Sequence, residues 1–108
     1  MANTFKNAAT GSNSTITTLY ECPVSTTAVI HAIYASNVGG MDTARLDISV
    51  SGSAFYNTRK HIMQNVMIPL DATVVIEKPI NLGAGDKLET KAEEDGTIDV
   101  FASILEMT

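Results

Sequence analysis

Apolar and polar residues alternate with a period of two from Arg45 to Ser51, placing Leu46, Ile48 and Val50 on one side and Asp47 and Ser49 on the other. Successive side chains leave a pleated strand on opposite faces, so this segment predicts a half-buried strand. A helical period near 3.6 would scatter the three apolar residues around the axis. Ile62, Val66 and Ile68 share one parity, as do Ile98, Val100, Ala102 and Ile104. The last segment also carries Phe101 and Leu105 on its second face, which is the pattern of a strand covered on both sides. From Thr26 to Ser36 the chain is apolar on both parities, with Ile30 and Tyr34 on one and Val29 and Ile33 on the other. That suits a central strand. A buried helix would also accept Ala and Ile, but β-branched Thr and Val open the segment and Asn37-Val38-Gly39-Gly40 closes it. Thr15 to Tyr20 and Thr73 to Glu77 read as strands for the same β-branched content.

Turn residues divide these segments. Gly39-Gly40, Gly52, Gly83, Gly85 and Asp95-Gly96 recur between them, and Asp95-Gly96 predicts a hairpin joining Lys87–Glu93 to Thr97–Glu106. Pro69 and Pro79 stand at segment ends, where a missing N–H breaks no central ladder. About eight short strands at roughly 8–12-residue spacing predict an all-β fold, a single antiparallel β-sandwich of jelly-roll or immunoglobulin-like type. From Ala2 to Ser14 the chain is polar and small, with Phe5 its one large apolar group, and residues 1–13 predict an N-terminal arm that either stays disordered or lies across a neighbour. Residues 14–108 then form the sandwich.

A chain of 108 residues with 44% hydrophobic content supports one core and argues against wholesale disorder. Twelve acidic against seven basic side chains give a net charge of −5, the wrong sign for tracking phosphates, so no nucleic-acid partner is expected. No apolar stretch approaches the ~20 residues of a membrane span, and no basic segment followed by an apolar one opens the chain, so neither a membrane partner nor a secretory signal is expected.

The chemistry on offer is sparse. Cys22 is the sole cysteine, which excludes an internal disulfide and a multi-cysteine zinc site, and its apolar setting marks it as a small buried hydrophobe. His31 could be a general base or metal ligand, but inside an apolar strand it reads better as a hydrogen-bonded interior or interface histidine. His61, after Arg59-Lys60, reads as an exposed cap on a strand. Glu93-Glu94-Asp95-Gly96 lacks the alternating ligand spacing of a calcium loop and reads as a solvated hairpin tip. With no phosphate loop, no Ser/His/Asp arrangement and no carboxylate pair at interpretable spacing, the expectation is a protein that is not an enzyme, with no catalytic residues, no metal and no cofactor. Charged residues are only 18%, below the ~25% usual for soluble domains. Phe5, Phe55, Tyr56, Met63 and Met67 lie in or beside polar segments and are the candidate interface residues, the alternative being that the last four fill the core.

Thr17-Thr18-Leu19-Tyr20-Glu21-Cys22-Pro23, then Thr26 to Ala32 and Ser36-Asn37, then Ile68-Pro69, Lys78 to Leu82, Gly85-Asp86-Lys87-Leu88 and the closing Ala102-Ser103-Ile104-Leu105-Glu106, follow in an order that resembles small virion structural proteins of tailed bacteriophages. The resemblance runs from about Ser14 to the end. It implies a β-sandwich that builds the particle: a capsid decoration or cement protein stabilising the head by bridging subunits. The expected partners are the major capsid protein or other virion proteins, with a homo-oligomer, a trimer, located in the virion after assembly in the host cytoplasm. A tail, neck or fibre component with the same fold is the alternative. A carbohydrate-binding β-sandwich module is a further one, disfavoured by the absence of Trp and only 6% aromatic residues.

Overall fold

A computed structural model describes residues 3–11, 14–39, 43–52, 59–92 and 98–108. Its elements are all strands: β1 (Asn3–Gly11), β2 (Thr17–Glu21), β3 (Thr27–Asn37), β4 (Thr43–Ser51), β5 (Lys60–Pro69), β6 (Thr73–Ile76), β7 (Ile80–Leu82), β8 (Lys87–Ala92) and β9 (Ile98–Met107). They form two antiparallel sheets. The five-stranded sheet runs β1-β9-β3-β6, with β7 also on β3, and the four-stranded sheet runs β2-β8-β4-β5.

β6 and β7 pair with successive parts of β3 and act as one interrupted strand. The pairing is then nested: β1 with β9, β2 with β8, β3 with β6 and β7, and β4 with β5. Such a chain is doubled on itself and rolled into two facing sheets, which is the jelly-roll form of the expected sandwich. The hairpin expected at Asp95-Gly96 is not formed, because β8 pairs with β2 and β4 while β9 pairs with β1 and β3. Both strands have an apolar inner face, and each satisfies it by lying in a different sheet. Residues 93–97 themselves, including the acidic cluster, lie outside the described residues.

The core fills the space between the sheets. Ile30, Ile33, Ile98, Val100 and Ile104 from one side meet Leu46, Ile48, Ile68 and Leu88 from the other, all buried. The period-two reading of β4 holds for its apolar residues, and that of β9 for Ile98, Val100, Ala102 and Ile104. Two departures come from β-bulges, where one extra residue shifts the alternation. In β3 the register slips between Ile30 and Ala32, leaving His31 opposite no residue of β9. As a result Ile30 and Ile33 both point inward, and Val29 and Tyr34 both point outward, which crosses the pairing expected from strict alternation. β5 carries extra residues in two places against β4, one near Asn65, whose φ of 52° is left-handed. Ile62 and Val66 are therefore half-buried while Met63 and Ile68 go inside.

The stretch expected as an arm forms β1, paired to β9 without a slip from Asn3↔Met107 to Gly11↔Asp99. Backbone groups on an open edge of β9 need partners, and β1 supplies them. Seven of its nine residues are nonetheless exposed.

A tight turn closes the core near β8. Asp86 accepts a hydrogen bond from the Gly83 backbone N–H (2.8 Å), and its own N–H donates to Gly83 O (3.0 Å). Gly52 lies against it with φ of 141°, so close that a Cβ there would stand 2.9 Å from Asp86 Cα. The Gly85-Asp86 pair of the resemblance is thus a structural corner.

Candidate assembly surface

The outward side of the five-stranded sheet follows from its register. β9 presents Asp99, Phe101, Ser103, Leu105 and Met107, faced on β1 by Gly11, Ala9, Asn7, Phe5 and Asn3. β3 adds Val29, Ala32 and Tyr34, and β6 adds Val75 opposite Tyr34. Among these outward side chains Asp99 carries the one formal charge and stands at the sheet's end. The rest of this surface is mostly apolar, with the polar Asn3, Asn7 and Ser103 on it, and Phe5, Tyr34, Val75 and Phe101 stand exposed among the described residues.

Aromatic rings organise it. Phe101 and Tyr34 lie side by side across the β3–β9 pair, their centroids 6.1 Å apart and their planes tilted by 52°. Beside them Ala9 and Gly11 of β1 bring almost no side chain, opening a shallow hollow of ≈ 440 Å³ bordered by both rings. Such a hollow can take an apolar group from a partner. Phe5, 77% exposed, stacks loosely on His31 at 6.3 Å between centroids. The bulge at His31 puts its imidazole on this surface, so it is not interior.

The expected interface residues separate. Phe5 sits on the apolar surface. Met67 is exposed on the opposite sheet, opposite Arg45. Met63, 9% exposed, is corrected from the surface to the core, because the extra residues in β5 turn it inward. Phe55 and Tyr56 lie outside the described residues. Tyr34, Phe101, Leu105 and Val75 share the outer surface with Phe5 and were not among the expected residues, although the two-sided apolar pattern of β3 and β9 marks the first three.

Cys22, Tyr20 and Glu106 are held in contacts of the core. Cys22 is 1% exposed, its thiol directed to Thr26 O (3.3 Å), and burial pushes its pKa up. At one end of the core, buried Glu106 of β9 accepts a hydrogen bond from the Tyr20 hydroxyl of β2 and pairs with Lys6 of β1 at 3.2 Å. The Tyr20 hydrogen bond, aided by Lys6 and opposed by burial, holds the Glu106 carboxyl below its usual range; burial and that carboxylate push the Tyr20 phenol up. His61 is exposed near the start of β5. Among the described residues no three His, Cys, Asp or Glu side chains stand together as metal ligands would.

No family model matches the sequence, and no curated protein does. Solved structures share the fold. A chain from Bacillus endospore appendages, which form disulfide-linked pili, is 10% identical over 99% of this chain and 87% of its own, with a TM-score of 0.59. A chain of the acid-stable capsid of Helicobacter pylori bacteriophage KHP30 is 12% identical over 100% of this chain and 89% of its own, at 0.57. A pentameric capsid protein from metagenomic phage sequences is 18% identical over 91% of this chain and 60% of its own, at 0.50. At these identities the likeness is one of fold.

Proposed function

We propose that this chain is a non-enzymatic bacteriophage virion structural protein, a decoration or cement protein that binds the head and bridges its subunits. The observation that carries the reading is the uncovered apolar outer surface of the five-stranded sheet, on a fold shared with phage capsid proteins. An exposed apolar sheet face is costly in water and is stabilised when a partner covers it. Docking that surface on the major capsid protein would tie neighbouring subunits together, and many copies would make modest contacts cumulative.

The likeness to a pilus chain carries less. Those pili are disulfide-linked, whereas the one thiol here is buried in the core and could reach another chain only by unfolding.

Density for this chain in images of purified virions tests the reading. Copies on the head shell, together with particles that rupture more readily when the chain is removed, are the expected result. Density at the tail or neck would favour that alternative, and absence from the particle would reject the virion role.

A further inference from the structure

The four sheet edges are not alike. Edge strands expose unpaired backbone groups, and proteins ordinarily guard them with shortness, bulges, prolines or charges. β6 and β7 are four and three residues long, with Pro79 between them. β2 has five residues and a register slip at Leu19. β5 is longer but twice irregular, begins at Lys60 and ends at Pro69. β1 has none of these guards. It runs for nine residues with unbroken register and no proline, and its one charge, Lys6, is drawn inward to Glu106.

We infer that β1 is a pairing edge for a second copy of this chain: two β1 strands meet antiparallel about a twofold axis, joining two five-stranded sheets into one. A strand is complementary to itself when antiparallel, and a twofold contact of this kind closes without forming filaments. The register that pairs all nine residues is centred on Asn7, setting Phe5 opposite Ala9 of the second copy. Side chains of opposed residues in an antiparallel pair share a face. Both copies therefore turn their apolar outer surfaces the same way. The inner side of β1 is lightly packed, with only Ala8 and Thr10 half-buried, which leaves room for the neighbour. The unit is a pair, where the resemblance implied a trimer, and it does not depend on where the chain sits in a particle.

Light scattering on the purified protein reads the pairing as a doubled mass. Asn7→Lys and Asn7→Asp each set like charges opposite one another and should weaken the dimer about tenfold or more. Mixing the two variants should restore it, which a merely misfolded variant could not do. Asn7→Cys should oxidise to a linked dimer, and Gln64→Cys, on the irregular β5 edge, should not. A wild-type mass that stays monomeric at every concentration overturns the inference, as does a dimer indifferent to Asn7→Lys. A disulfide between Asn7→Cys of one copy and Ser103→Cys of another also overturns it, since β1 would then be exchanged between copies.

Discussion

The two sheets have equivalent inner faces and opposite outer ones. Outward from the four-stranded sheet stand Arg45, Asp47, Lys87, Glu89 and Lys91, and both carboxylates are engaged. Arg59 reaches Glu89 at 3.2 Å, Ser51 donates to the same carboxylate at 2.7 Å, and Asp47 accepts the Asn65 N–H at 2.6 Å. The outer face of the five-stranded sheet offers water Phe5, Tyr34, Phe101 and Val75 instead. One outer face carries charged side chains, and the other presents apolar ones.

Truncation inside the sandwich should treat the two sheets alike. Ile48→Ala on one and Ile104→Ala on the other should each cost about 2–5 kcal/mol in urea denaturation, since both are fully buried. A much cheaper Ile104→Ala would mean that the five-stranded sheet is only completed by its partner. On the outer faces the expectation divides. Phe101→Glu should weaken association with capsid at least tenfold, about 1.4 kcal/mol, and leave the melting temperature nearly unchanged. Lys91→Glu should alter neither, and equal losses of binding would erase the contrast between the faces.

The link between the sheets at Tyr20 and Glu106 gives a further test. Tyr20→Phe leaves a buried carboxylate short of a donor and should cost about 1–3 kcal/mol at neutral pH. Because folding lowers the Glu106 pKa, its contribution is present above the ordinary carboxylate range and is lost as pH falls through the folded value. The Tyr20→Phe penalty should shrink on acidification in a pH series of melts; a penalty constant with pH would assign it to packing. Smallest of all, Arg59→Ala should change stability by about 0–1 kcal/mol, as partly exposed ion pairs do.

Much of this contrast can be read from the residues, with identifiable gaps. Strict alternation in β4 and β9 is a property of regular strands, so their core residues were legible. In β3 it misassigned Tyr34 and Ile33, because a bulge at His31 is a pairing event between distant strands and leaves no local mark. Met63 was misplaced for the same reason. The two apolar faces of β9 were visible, but the sequence does not say whether a second cover is the chain itself or another molecule. Asp95-Gly96 satisfies the local chemistry of a hairpin turn, yet whether its flanking strands pair is decided by which sheet needs each of them. The clash that keeps residue 52 a glycine joins it to Asp86, thirty-four positions away (86 − 52), beyond any motif.

The nested pairing also sets an order of events in time. β9 lies between β1 and β3, so the five-stranded sheet cannot close until residues 98–107 are available, however long the upstream strands have existed. Contacts between such distant segments are slow to form. Until β9 is available β1 has no partner in its sheet and β3 can pair only with β6 and β7, whereas every strand of the four-stranded sheet is already present. A nascent chain arrested anywhere before β9 would hold no native five-stranded sheet, and would be a substrate for chaperones and proteases.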